Sequence, residues 1–277
     1  MFSINGLNMK KLTGVLLSLM VASSAMAEAP ILMVGASYGS AVTPFNDALQ
    51  APQGGTSVSS GSYLSLGNAL IRNKSLSGHV INEAQAGATT FDRLFCRAEC
   101  VEGVVWHGNE TQFTKALARV AFADPVTGET RYNADYLVVV TGNDCLHSGA
   151  MGIPHSETSP CTLDQVHEHV DRLISLGQMA LDKGITPIFL DLPAYNDLDL
   201  PHFGSVFGLQ WVIDEPTYNA MISVSYDRIN AELPDAVQLK VWKKFNVLAD
   251  GIHPDDKSTK RAAKRIARYI RSHRQGE

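Results

Sequence analysis

Ile31-Leu32-Met33-Val34-Gly35-Ala36-Ser37-Tyr38-Gly39-Ser40 sets the frame for the rest of the chain. Four consecutive apolar residues without polar alternation are what a short strand covered on both faces requires. A tight turn of small residues follows, with the Ser37 hydroxyl inside it. The run reads as the first strand of an α/β sheet, ending at a candidate nucleophile. A serine in a strand-ending turn is common on its own. The reading therefore depends on whether the chain also supplies a base, an orienting acid and donors for an oxyanion.

Further strands end in the same manner. Residues 79–82 form a short second strand that runs into Glu83-Ala84-Gln85-Ala86-Gly87-Ala88-Thr89-Thr90, where Gly87 is either a plain turn glycine or a point of close backbone approach to a ligand. Tyr136-Leu137-Val138-Val139-Val140 is the clearest strand, β-branched and unbroken. It ends in Thr141-Gly142-Asn143-Asp144. Residues 185–191 make the next strand and 237–241 the last. Helical spacing places helices near 62–72, 111–122, 163–181, 216–233 and 257–272. On the third, Leu163, Val166, Val170 and Leu173 share an apolar face, and His167 and His169, two apart, read as surface or rim residues. On the last, Ala263, Ile266, Ala267 and Ile270 form the buried stripe. Lys260, Lys264, Arg268 and Arg271 lie opposite as a solvated basic face, with contact to anionic lipid as the alternative.

Two regions are less regular. Residues 91–131 hold a turn cluster at 124–128, and Trp106 and His107 read as packing in an exposed loop. Residues 198–213, with Phe203, Phe207 and Trp211, read equally as a mobile lid or as a loop packed by its own aromatics.

The chain has 277 residues, 45% of them hydrophobic, enough for one large α/β domain with its own core. The first 27 residues read separately. Lys10-Lys11 is a basic start, 12–22 an apolar stretch too short to span a bilayer, and Ala25-Met26-Ala27 a small-x-small cleavage site. Together they predict a secretory signal peptide cut before Glu28, leaving a single domain at 28–277 in the periplasm or the medium. No other stretch is long and apolar enough to span a membrane. Removing Lys10 and Lys11 from 23 cations leaves 21 against 28 acids, a net charge of −7. That argues against a nucleic-acid partner. Four cysteines in an exported chain read as disulfides, with Cys96–Cys100 and Cys145–Cys161 favoured because each closes a short loop. The rival, a zinc site from Cys145, His147, His155 and Cys161, fits no standard structural spacing.

Alternating strands and helices predict one doubly wound parallel sheet. Ser37, Gly87, Asn143 and the pair Asp250/His253 all leave strands or loops that could meet at its C-terminal edge, where ligands bind in open α/β sheets. That set contains a hydroxyl, a base, an acid and donors, the four parts of an acyl-transfer site. It also resembles the SGNH hydrolases, the GDSL-like esterase/lipase family, in four blocks taken in order. These are Gly35-Ala36-Ser37, Gly87, Gly142-Asn143-Asp144 (with Thr141 where a first glycine is usual) and Asp250-Gly251-Ile252-His253-Pro254. The C-terminal part, with Asp191-Leu192-Pro193-Ala194-Tyr195-Asn196, is similar to the bacterial periplasmic thioesterase/lysophospholipase branch. The resemblance implies a three-layer α/β/α, flavodoxin-like fold around a five-stranded sheet. It implies Ser37 as nucleophile, His253 as base and Asp250 as orienting acid. It implies an oxyanion hole from the Ser37 and Gly87 N–H groups and the Asn143 amide, with no cofactor and no metal. Asp144 would support its loop rather than act in the chemistry. The substrate would be a small-molecule, lipid or acylated-glycan ester. Two departures stand out: Ala36 where the family usually has aspartate, and cysteine-bearing insertions at 91–110 and 145–161.

Three other readings fit the same sequence. The triad could serve a carbohydrate O-acetylesterase or an acyltransferase. The fold could persist in a non-catalytic binding protein, which Ala36 motivates. A glycosidase built on Asp191 and Asp197 ranks last, because no spacing selects that pair.

Overall fold

A computed structural model of the chain describes residues 28–40, 63–76, 79–96, 100–140, 144–148 and 160–274. The strands are β1 (Ile31–Gly35), β2 (Val80–Asn82), β3 (Arg93–Cys96), β4 (Cys100–Trp106), β5 (Ala121–Ala123), β6 (Thr130–Tyr132), β7 (Tyr136–Val140), β8 (Thr186–Leu190) and β9 (Val237–Leu239). The helices are α1 (Leu66–Ile71), α2 (Asn109–Val120), α3 (Leu163–Leu181), α4 (Leu200–Phe207), α5 (Glu215–Glu232) and α6 (Asp256–Arg274). Five strands form a parallel sheet in the order β2-β1-β7-β8-β9. The first strand is therefore interior, as its unbroken apolar run requires.

Side chains of β1 alternate between two cores. Ile31 and Met33 join one with Leu66 and Leu70 of α1 and Ala263, Ile266 and Ile270 of α6. Leu32 and Val34 join the other with Phe113 and Leu117 of α2 and Leu173 and Leu176 of α3. β7 does the same, Val138 and Val140 on one side, Leu137 and Val139 on the other. The period of two along a strand thus produces three layers. Each fully buried Ile or Leu contributes about 1.5–3 kcal/mol through removal from water. β1 and β7 run in register, Ile31 opposite Tyr136 and Gly35 opposite Val140. Ser37 therefore leaves the sheet beside the end of β7.

Several expectations are corrected. The irregular 91–131 region contains two antiparallel hairpins, β3–β4 and β5–β6, flanking α2. Neither shows a long apolar alternation, and β5 is exposed along its length, so little periodicity marks them. Residues 198–213, read as a mobile lid or as a loop packed by its own aromatics, contain helix α4, on which Phe203 and Phe207 pack together with ring centroids 4.9 Å apart. Asp199 caps α4 by accepting the His202 N–H, and Gly208 ends it in the left-handed conformation. The chain is then tied down where Ser148 Oγ accepts the Gln210 and Trp211 N–H groups at 2.7 and 3.2 Å. Leu163 is 57% exposed rather than on the apolar face, because α3 starts there, behind a Thr162/Gln165 capping box. No helix among the described residues is long and apolar enough to cross a membrane. Residues 1–27, with the expected signal peptide, lie outside the described residues.

Candidate active site

Ser37 sits in the turn after β1, which closes on itself as Gly39 and Ser40 donate to the Ala36 carbonyl at 2.9 and 3.3 Å. Gly35 is what lets the strand end there. Its φ is +124°, and a Cβ on it would lie 1.7 Å from the Val140 carbonyl oxygen. Gln112 of α2 latches the same residue, its Oε1 accepting the Gly35 N–H at 2.6 Å and its Nε2 donating to the Gly35 carbonyl at 3.2 Å. Ser37 itself is 9% exposed.

His253 lies in the loop before α6. Its Nδ1 is 2.8 Å from Asp250 Oδ2, and Asp250 Oδ1 accepts the His253 and Ile252 N–H groups at 3.0 and 3.1 Å. Burial pushes the Asp250 carboxyl up. The hydrogen bond and charge of His253, with the two backbone donors, outweigh it and hold the carboxyl below its ordinary range. A carboxylate on Nδ1 fixes the tautomer that leaves Nε2 as the acceptor. Nε2 is buried and has no hydrogen-bond partner among the described residues. A buried ring nitrogen left open in this way has a lone pair free to accept a proton. In unliganded enzymes the contact to the nucleophile is often long and tightens only with substrate.

Two tyrosines join the Ser37 turn to the Asp250/His253 loop. Tyr63 stacks on the His253 ring, centroids 4.4 Å apart and planes 19° from parallel, while its hydroxyl donates to the Ser37 carbonyl at 2.9 Å. Tyr38 donates to the Ile252 carbonyl at 2.8 Å. Burial pushes both phenols up, so both are neutral donors. Neither contact was evident in the sequence. Tyr63 follows a stretch rich in Gly and Ser with no motif to mark it.

Gly87 is more than a plain turn residue. Its φ is +88°, and a Cβ there would lie 2.9 Å from Trp106 Cζ2. Trp106, read from sequence as exposed-loop packing, is 1% exposed. Its indole donates to the Ala86 carbonyl at 2.7 Å, and Arg93 donates to the Gly87 carbonyl. The β3–β4 hairpin thus holds this loop from outside. Among the described residues no hydrogen bond occupies the N–H of Ser37 or of Gly87. Asn143, the third expected donor, lies outside the described residues.

Asp144 joins the turn that follows Gly87 to α3. It is 3% exposed; Oδ1 accepts the Thr90 N–H at 2.7 Å and Oδ2 the Thr90 hydroxyl. His169 and Arg172 of α3 approach the same oxygen at 3.1 and 3.2 Å. His169 is therefore not a rim residue: it is fully buried, which a spacing of two on the helix could not reveal. Burial raises the Asp144 pKa, but His169 and the Thr90 donors outweigh it and hold the carboxyl far below the ordinary range. A depressed folded pKa means the carboxylate stabilises fully above the unfolded value, about 3.9, and progressively less as pH falls toward the folded one. Asp144→Asn is expected to cost about 3 kcal/mol at pH 7. The gap to the native chain should narrow at pH 3 in urea titrations. An equal gap at both pH values would refute the ion-pair account.

Cys145 and Cys161 form a disulfide, with Cα atoms 5.2 Å apart. Both sulfurs are thereby taken from the rival zinc set. Burial lowers the pKa of His147, another member, to about 4, and its Nδ1 is 3.1 Å from the Ser148 carbonyl. His155 lies outside the described residues. The β3–β4 register places Cys96 opposite Cys100, but their side chains are also outside them. Asp191 accepts the Val241 N–H at 2.7 Å, tying the end of β8 to the residues after β9.

No family model and no curated protein matches the sequence. Solved structures do match in fold. A carbohydrate acetylesterase family member from Sinorhizobium meliloti aligns at 17% identity over 88% of this chain and 98% of its own, with a TM-score of 0.53. A second structure, at 14% identity, covers 89% of this chain and 99% of its own with a TM-score of 0.56. The psychrotrophic esterase EstA from Pseudoalteromonas sp. aligns at 13% identity over 89% and 99% of the two chains, but its TM-score of 0.45 carries no weight here. At these identities the likeness is one of fold. With its strand order, its covered faces and these two alignments, the chain has a three-layer α/β/α fold around a five-stranded parallel sheet, shared with the carbohydrate acetylesterase family member.

Proposed function

We propose that this chain is a serine hydrolase of carboxylic esters. The observation that carries the reading is the Asp250-fixed His253, whose buried Nε2 is unpartnered among the described residues and whose ring is stacked by Tyr63, the side chain that donates to the Ser37 carbonyl. Ser37 Oγ attacks the ester carbonyl carbon and His253 Nε2 takes its proton. The carbonyl oxygen becomes an oxyanion, received by the Ser37 and Gly87 N–H groups and the Asn143 amide. The C–O bond to the alcohol breaks, and His253 returns the proton to the leaving oxygen. Water then attacks the acyl-enzyme by the same route in reverse, freeing the acid and Ser37. Asp250 stays ionised throughout, and no step calls for a metal or cofactor. Residues 1–27 would direct the enzyme to the periplasm or the medium.

The second reading, hydrolysis of O-acetyl esters on a glycan, uses the same residues. It is favoured by the fold shared with a carbohydrate acetylesterase family member. A fluorophosphonate probe tests the mechanism: it should add one phosphonyl group to the peptide containing Ser37 and none to Ser37→Ala. Absence of labelling, or labelling elsewhere, would favour the binding-protein alternative. Release of acetate from acetylated glycans, set against 4-nitrophenyl esters of increasing chain length, separates the two substrate readings.

A further inference from the structure

One groove lies away from the Ser37 site. It runs between the C-terminal end of α1 and one face of α6 and encloses about 540 Å³. Six cations line it: Arg72 and Lys74 from the turn after α1, and Lys260, Lys264, Arg268 and Arg271 from α6. All six are exposed. Lys260 pairs with Asp256 at 3.4 Å, and the other five have no ion-pair partner among the described residues. No carboxylate lines the groove among those residues. The whole chain carries a net charge of −5, so this concentration of positive charge runs against its overall balance.

Helix electrostatics explain only part of it. Arg268 and Arg271, near the end of α6, complement the negative pole of the helix. Lys260 and Lys264 lie in its first half, nearer the positive pole, where the macrodipole does not favour cations. An unpaired cation cluster in a concave surface raises the local potential and recruits anions.

We propose that this groove is a binding site for an anionic glycan chain. The α6 cations recur about every 6 Å and extend over roughly 16 Å, at about 1.5 Å rise per residue. A linear polyanion with a charge on successive units matches that stripe, whereas a single small anion would use one end of it. Asn73 and Ser75 add neutral hydrogen-bonding groups on the opposite wall. The groove is concave, so a flat bilayer cannot fill it. Among the described residues no aromatic side chain lines it to stack bases, as single-stranded nucleic-acid grooves provide. Together with the ester-hydrolase reading, on which this clause alone rests, the site would hold an acylated acidic polysaccharide beside the enzyme. The binding claim does not need that reading.

The test is fluorescence anisotropy of the full chain with labelled oligogalacturonate and with a labelled heparin oligosaccharide, across a salt series. At least one should bind, more weakly as salt rises. The Lys264→Glu/Arg268→Glu double variant should weaken binding on the order of tenfold or more, and Lys264→Gln/Arg268→Gln by less. Turnover of 4-nitrophenyl acetate should be unchanged in both variants, which also reports that they fold. Binding of neither oligosaccharide overturns the proposal. So does equal binding by native chain and variants, or tighter binding to anionic phospholipid vesicles or single-stranded DNA. Lack of 4-nitrophenyl acetate turnover by the native chain would sink the esterase reading and leave the glycan-binding result standing.

Discussion

Turnover of 4-nitrophenyl acetate is expected to fall about 10⁵-fold in Ser37→Ala, by a similar factor in His253→Ala, and by little more when both are replaced. In the proposed mechanism nucleophile and base act as one unit, so removing either removes the acyl-enzyme route. The hydroxyl is not nucleophilic at neutral pH until its proton has somewhere to go. Asp250→Asn should cost about ten-thousand-fold, because an amide on Nδ1 no longer holds the tautomer that leaves Nε2 free. The 2.8 Å contact and the two backbone N–H groups on Oδ1 show why. An asparagine would keep its oxygen on the two backbone N–H groups and turn its NH2 toward Nδ1, which places the imidazole proton on Nε2. Far-ultraviolet circular dichroism of Ser37→Ala should match the native chain. Additive losses in the double variant, or full activity in any single one, would overturn the mechanism.

The second large effect is on the fold. Gly35→Ala should cost more than about 4 kcal/mol, a large part of a domain's total stability. The added carbon would lie 1.7 Å from the Val140 carbonyl oxygen, at a backbone φ of +124°. The clash is with backbone, where the two adjacent interior strands end, so no rotamer change relieves it. β1 would have to part from β7 at the Gly35–Val140 pair, and the Gln112 latch would open with it. Gly128→Ala is the control. It also has a positive φ, +75°, but open space around the new carbon, so only the conformational cost of about 1 kcal/mol remains. Urea midpoints of the two variants measure the difference. Similar midpoints would show that the Gly35 backbone can shift where the structure holds it fast.

The central sheet could be read from the chain because its strands carry their burial in their composition. Ile31–Gly35 and Tyr136–Val140 are apolar throughout, and only a strand covered on both faces tolerates that. Asp250 and His253 could be paired from sequence because three residues of separation in a tight loop bring them together locally. What could not be read depends on contacts between distant parts. Tyr63 earns no attention until its ring is found against His253. Trp106 looked like a loop residue because the hairpin that carries it is short and irregular. His169 looked peripheral because its partner, Asp144, belongs to a different element. Helix spacing reports which side chains share a face, and not which buried carboxylate waits opposite.

The order of the elements along the chain has a consequence for biosynthesis. β1 is made early, yet it sits between two strands that come later, and the imidazole arrives only with the loop before the final helix. α6 contributes Ala263, Ile266 and Ile270 to the core that also contains Ile31 and Met33. A nascent chain still lacking these residues carries a serine with no base and a half-covered sheet. On the proposed mechanism, a nascent chain shorter than residue 253 would carry Ser37 without its base, and hydrolysis would begin only once α6 had docked.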